Sequence, residues 1–267
     1  MPWLDLSLSR KNRMPDSSSI PVNISGDSFY SREGSALYYC VPKVASRSIL
    51  GLCTTTFPDG FRIKEKDVPH PEFCQSIEGS PFRFAFVREP IERALSFYFD
   101  KCVNYDGSIA KVKLFARYQN LKPTTELNDF IRWLNSTEGR DATADHHFCS
   151  QHLFLYSRDW KKCVDYVGYM NTLPSDLARV WSRLGHELPP MPHLNSNADP
   201  KVRKVVISSA DYLKKLDPSQ IRALRKRYEA DYDLFNFGQP DQSTLAKLGR
   251  RYRTFWRESG LAKVPVK

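Results

Sequence analysis

The chain contains no run of about 18 apolar residues, the length a membrane-spanning helix needs, and its first thirty residues lack the apolar core of a signal peptide. As written it reads as a soluble protein. Its six cysteines (Cys40, Cys53, Cys74, Cys102, Cys149, Cys163) are too few for a disulfide scaffold in 267 residues, and no CxxC occurs, so free thiols are expected. The pattern GxxxxGK[ST] is absent, which excludes a standard ATPase P-loop and weakens a nucleotide kinase as an alternative. No RRM, KH, zinc-finger or helix-turn-helix signature stands out, so a basic module binding nucleic acid or heparin rests on charge alone. Neither an internal repeat nor a low-complexity linker interrupts the chain.

What is present is a formal charge of +10 with pI near 9.3, which calls for an anionic partner. Much of that charge lies in the C-terminal third, at Lys201, Arg203, Lys204, Arg222, Arg225 to Arg227 and Arg250 to Arg253, where such runs usually form solvated faces. Two segments organise the rest. In YYCVPKVASRS, the apolar run Ala36 to Val41 has strand length, Pro42 ends it, and small residues lead from Lys43 into a helix starting at Ser46. A strand, a phosphate-sized turn and a helix N-terminus in that order suit an anion: backbone N–H groups and the helix dipole face it, and Lys43 adds a point charge. A helix cap is the alternative reading of the same residues.

In FRFAFVREPIERALSFYFDK, the buried-strand pattern Phe84 to Val87 delivers Arg88 at a strand's carboxyl end, and Pro90 opens a helix from Ile91 to about Cys102. Arg88 and Ser96 are eight residues apart, about two helical turns, and share a groove if the arginine folds back along the helix. A guanidinium and a hydroxyl then meet one phosphate. The alternative is a surface ion pair of Arg88 with Glu89 or Glu92.

These residues resemble those of sulfotransferases that use 3′-phosphoadenosine 5′-phosphosulfate (PAPS), in the carbohydrate (Golgi-type) branch. VPKVASRS is similar to that family's 5′-phosphosulfate loop, and FVREPIERALSFYFDK to its 3′-phosphate motif, FVRdPxeRlxSxYxdK. The resemblance covers roughly Leu37 to Phe237. It implies that Pro42, Lys43, Val44, Ala45, Ser46, Arg47 and Ser48 form the loop around the 5′ end, and that Arg88 and Ser96 bind the 3′-phosphate. Arg93 and Lys101 match further positions and are read as supporting residues. Arg47 and Ser48 depart from the usual form of the loop. Asn195 and Ser196, in PHLNSN, resemble a stretch preceding a loop that closes over the donor.

DHHFCSQHLF, from Asp145 to Phe154, places three of the six histidines within seven residues. The spacing of His146, His147, Cys149 and His152 fits no standard closed zinc pattern, and no metal is expected. By resemblance, Asp145, His147, Phe148 and Gln151 match an Asp-x-His-aromatic-x-x-Gln pattern of carbohydrate sulfotransferases. That makes His147 the first candidate for the general base and His146 the second, with Asp145 orienting the imidazole and Lys43 offsetting charge on the leaving phosphate. A carboxylate, Glu65, Glu89 or Glu92, is the alternative base.

The expected architecture is α/β, a P-loop-like sulfotransferase fold with a mainly parallel central sheet flanked by helices. Strands are expected at 36–41, 84–87 and 164–169, with ligands at their carboxyl ends. Residues 1–35 read as an N-terminal arm, 36–240 as the sulfotransferase domain and 241–267 as a basic, helical tail. Ile221, Leu224, Tyr228, Tyr232 and Phe235 fit a core-facing helical stripe. The implied partner is a glycan acceptor, anionic or neutral, with no nucleic acid and no membrane span. The chain as written implies the cytoplasm. Relatives of this branch imply the Golgi lumen instead, with an anchor outside this sequence.

Overall fold

The structure, a computed structural model, describes residues 27–64, 80–141, 143–157, 160–191, 213 and 215–237. The two apolar runs form strands β2 (Ala36–Cys40) and β4 (Phe82–Val87), with β1 (Asp27–Tyr30), β3 (Phe61–Lys64) and β5 (Tyr166–Tyr169) completing one sheet in the order β3-β1-β2-β4-β5. Every residue of β2 and the last four of β4 are buried, the pattern of strands covered on both faces. β2 pairs parallel with β4, and β4 with β5, giving the expected α/β fold with flanking helices. The antiparallel pairs β1–β2 and β1–β3 extend the other side of the sheet. β1 lies within the stretch read as an N-terminal arm.

Strand register decides where the two motif loops emerge. Tyr39 sits opposite Ala85 in the β2–β4 pair. Continuing that parallel register places the chain after Cys40 beside the chain after Phe86, so both motif loops leave the same edge of the sheet on neighbouring strands.

From β2 the chain enters α1 (Ser46–Thr56), and from β4 it enters α2 (Pro90–Tyr98), which widens into a π turn at Phe99–Val103. The sequence pattern predicts an unbroken α-helix to about Cys102. Instead Asn104 N–H donates to Phe99 C=O at 2.8 Å, an i to i+5 bond of the kind frequent at functional sites. Among the described residues, four further α-helices follow: α3 (Ile109–Phe115), α4 (Leu127–Leu134), α5 (His152–Leu155) and α6 (Leu173–Arg183). The terminal amphipathic stretch breaks at Tyr228 into α7 (Pro218–Arg227) and α8 (Glu229–Leu234). Leu224, Tyr228, Tyr232 and Phe235 are buried and Ile221 partly so, as the stripe required.

The core has two aromatic centres. Within the sheet layer, Tyr38 stacks on Phe84 at 5.3 Å and Trp181 of α6 meets Phe84 edge-on at 6.2 Å. Gly168 in β5 is required here, because a Cβ at that position would lie 2.5 Å from the Phe86 ring. Beneath the histidine segment, Phe148 packs against Phe97 and Trp133 at 5.0 and 5.1 Å, and Phe97 stacks on Phe130 at 5.7 Å. The five described cysteines are buried, and no disulfide joins any two of them. No helix among the described residues is long and apolar enough to cross a membrane.

Candidate functional site

The loop after β2 is shaped by its backbone. Lys43 and Ala45 both adopt left-handed conformations, with φ of 71° and 57°. Non-glycine residues hold that geometry at about 1–2 kcal/mol each, so the surrounding fold imposes it. Left-handed residues in a tight turn point nearby N–H groups toward a common centre, the geometry of an anion nest. Ala45 is also the N-cap of α1; no side chain caps that helix and no acidic residue occupies its first turn. The N-terminal N–H groups of α1 therefore face the loop. Val44 and Ser48 are buried beneath the loop, Ser46 is half-buried and Arg47 is exposed.

Along α2 and its π turn, Glu92, Ser96 and Asp100 recur every fourth residue as the partly exposed positions, with the intervening residues buried. This stripe connects the two motifs. At one end, Arg88 donates from Nε to Glu92 Oε2 at 3.3 Å, so the guanidinium lies along the helix in the direction of Ser96. This is the ion pair with Glu92 that the alternative reading named, with the Arg88 side chain 18 % and the Glu92 side chain 34 % exposed. At the other end, Lys43 Nζ pairs with the Asp100 carboxylate, which also holds Lys101 at 3.1 Å. Burial lowers the Lys43 ammonium to about 8, although Asp100 works in the opposite direction. Burial alone would raise Asp100, but Lys43 and Lys101 hold it well below the usual carboxylate range.

Asp145 and His147 form a dyad over the aromatic centre. The Asp145 carboxylate is buried; its Oδ1 lies 2.5 Å from His147 Nδ1 and accepts the His147 backbone N–H at 3.0 Å. Its Oδ2 accepts from Arg117 Nη1 at 3.0 Å. With Nδ1–H directed to the carboxylate, the neutral imidazole keeps Nε2 as an acceptor. Burial lowers His147 to about 3 despite the hydrogen bond to Asp145, so the ring is neutral across ordinary pH. Asp145 resists its own burial through its His147 contact and stays ionised. The His146 ring stacks on His147 with centroids 4.0 Å apart, but its Nδ1 is 3.6 Å from Asp145, beyond a hydrogen bond. Ligand atoms of Asp145, His146 and His147 lie within 4.8 Å of one another, yet the carboxylate is already engaged by His147 and Arg117.

Arg93 brings this dyad to the first loop. Only 2 % exposed, it donates to Pro42 C=O at 2.9 Å, Cys149 C=O at 2.6 Å and His146 C=O at 3.0 Å. One guanidinium on α2 thus fixes both the start of the Lys43 loop and the segment carrying His147, a larger part than the supporting role its motif position suggested. Arg93→Ala strips three carbonyls of their donor and is expected to destabilise the fold by at least about 3 kcal/mol. Thermal denaturation checks this: a fall of about 6–12 °C is expected, with Arg93→Lys recovering only part, since one ammonium lacks the planar fork.

Two of the three carboxylate alternatives for a base are occupied. Glu89 caps α2 through Glu92 N–H at 2.7 Å and accepts the Tyr232 hydroxyl, and Glu92 holds Arg88. Glu65, Asn195 and Ser196 lie outside the described residues. Asp100 and Arg117 were not among the expected site residues. The acidic residue preceding Lys101 in the motif was the available signal for Asp100; nothing in the sequence marked Arg117.

Known proteins with similar sequences point the same way. Carbohydrate sulfotransferase 10 of Xenopus laevis is 28% identical over 180 residues, covering 60% of this chain and 48% of that protein. The chain therefore spans about half the length of the curated relative it matches. No solved structure matches it significantly. A family model described as the sulfotransferase family matches residues 27–238, a span that runs from the first strand through Lys43, Arg88, Ser96 and His147 to the last described helix. By that match, with its two motif loops side by side at one sheet edge, the chain belongs to the sulfotransferase family.

Proposed function

We propose that the protein transfers a sulfuryl group from PAPS to a hydroxyl of a carbohydrate acceptor by in-line displacement. The observation that carries this reading is the convergence of three sequence-distant segments on one edge of the sheet: the uncapped nest at Lys43, the Arg88–Ser96 stripe, and the Asp145–His147 dyad joined to the nest by Arg93. The donor set fits a 3′,5′-bisphosphorylated nucleotide. The loop 42–48 cradles its 5′ end, and Arg88 with Ser96 takes the 3′-phosphate. His147 Nε2 removes the acceptor proton as the hydroxyl oxygen attacks sulfur, Asp145 stabilises the imidazolium that forms, and Lys43 offsets charge on the departing phosphate. No step in this scheme needs a metal ion.

The carbohydrate acceptor is carried over from the similarity to carbohydrate sulfotransferase 10 of Xenopus laevis. Within that class an anionic glycan suits this chain best. Arg117 touches Asp145 yet is 61 % exposed, and Lys113 is exposed one turn earlier on α3, so positive charge borders the base.

The reading is tested without any acceptor. Adenosine 3′,5′-bisphosphate at about 100 times its dissociation constant is expected to add about 2.7 kcal/mol, a rise of about 5–10 °C in Tm. AMP, ADP and ATP should fall short, and Arg88→Ala should abolish the difference. An equal shift with ATP would instead favour a kinase-like nucleotide site, and no shift a basic binding module.

A further inference from the structure

We infer that Gln151 and Asp231 are positioning residues for the phosphate-binding arginine, and that the C-terminal helix pair is thereby part of the donor site; this rests on the assignment of Arg88 to the 3′-phosphate. β4 ends at Val87, where the ladder to β5 also stops at Tyr169. Arg88 is the first residue beyond it. Its backbone is nonetheless paired at both polar groups: Arg88 N–H donates to Gln151 Oε1 at 2.9 Å, and Gln151 Nε2 donates to Arg88 C=O at 2.8 Å. The side-chain amide of Gln151 thus does for one residue what a further strand would do, extending the ladder to the point where the arginine leaves the sheet.

Only glutamine satisfies this geometry. The contact needs one acceptor and one donor in a plane, at the reach of a two-methylene stem. Glutamate would set an oxygen against Arg88 C=O, leucine would leave both groups of Arg88 unpaired, and asparagine falls a methylene short. Gln151 is fully buried, so water does not replace a lost partner.

Gln151 is held in turn from α8. The Asp231 carboxylate, fully buried, accepts Gln151 N–H through Oδ2 at 2.7 Å and His152 N–H through Oδ1 at 2.9 Å, with His152 Nδ1 also 2.9 Å from Oδ1. The next residue of α8, Tyr232, donates its hydroxyl to Glu89, directly after Arg88. Two consecutive residues of α8 therefore brace the two consecutive residues at which β4 turns into α2. Because χ1 of Arg88 starts from this backbone, small rotations there displace the guanidinium from the stripe that carries Ser96.

The test compares affinities for adenosine 3′,5′-bisphosphate and 5′-AMP, measured by calorimetry on the full chain. Gln151→Leu and Gln151→Glu are expected to weaken the bisphosphate about tenfold or more, the worth of one well-placed hydrogen bond to a charged group, while 5′-AMP changes by less than about twofold. Asp231→Asn should weaken the bisphosphate in the same selective way. In an Arg88→Ala background the Gln151 substitutions should add nothing, since they act through Arg88. Gln151→Glu keeps the shape and the acceptor, and carries the test if Gln151→Leu does not fold. Equal loss for both nucleotides, full additivity with Arg88→Ala, or an unchanged preference for the bisphosphate would overturn the inference. A wild-type protein without that preference would instead overturn the reading of the donor site, and the inference with it.

Discussion

His147→Ala lowers turnover by about 10²–10⁴-fold, the range for loss of a positioned general base, and leaves the affinity for adenosine 3′,5′-bisphosphate unchanged. Both halves of that expectation come from the geometry. His147 touches neither the loop 42–48 nor the stripe Glu92, Ser96, Asp100 by a hydrogen bond of its own; its ties are to Asp145 and the aromatic centre. Removing the imidazole therefore takes away the proton acceptor without disturbing the anion site. Single-turnover rates with saturating donor, alongside nucleotide titrations, separate the two effects. His146→Ala is expected to lose much less, because its ring stacks on His147 but does not reach the Asp145 carboxylate. A His147→Ala protein with normal turnover would sink the base assignment and return attention to a carboxylate. Asp145→Asn supplies a complementary result: the amide no longer favours the Nδ1–H tautomer, so turnover falls with little change in nucleotide affinity.

The parts of this site legible in the sequence were those encoded locally. β2 is a five-residue apolar run and β4 ends in the four-residue apolar run Phe84 to Val87, leading into Pro42 and Arg88, and a strand segment buried on both faces leaves that trace whatever its partners are. The glycine-free loop after β2 was also legible, because small residues between a strand and a helix restrict what the turn does. β1 and β3 were not read as strands. DSFY and FRIK are four residues each, and their pairing depends on each other and on β2 rather than on any pattern of their own. The site's second layer was hidden for a related reason. Asp100 meets Lys43 across 57 residues, and Asp231 meets Gln151 across 80. Such pairs follow only from tertiary register.

Arg227 shows how a compositional rule hides an individual residue. Within the run Arg225, Lys226, Arg227, the first two are exposed as a solvated face would be. The third is buried on Asp141 at 2.7 Å and donates to Gly139 C=O at 3.1 Å. Ser150, just before Gln151, donates its hydroxyl to the same Asp141 at 2.6 Å. Thus one of the excess positive charges braces the segment carrying the dyad, as Arg93 also does, and the net charge overstates what is available to an anionic acceptor.

Lys43→Ala is expected to lower turnover by about 10²–10³-fold, as loss of a preorganised charge at a leaving oxygen does, and to weaken nucleotide binding far less. On the proposed reading the backbone N–H groups of the nest and α1 hold the 5′ end, and a side-chain truncation leaves them in place. Lys43 is also expected to set the alkaline limit. Burial lowers its ammonium to about 8 in the free protein, so the positive charge is present below that pH and is lost above it. The profile of kcat/KM for the donor, which reports the free enzyme, should fall as pH rises through about 8, well below the ordinary lysine range. The acid side should stay flat through the ordinary histidine range, because burial keeps His147 neutral there. Asp100→Asn removes the carboxylate that supports the protonated amine, so the alkaline fall should move to lower pH. A limb that stays put in Asp100→Asn, or that persists in Lys43→Ala, would assign it to another group and remove Lys43 from the reaction. A limb that moves as described ties the lysine, its π-turn aspartate and the donor's departing charge into one electrostatic unit.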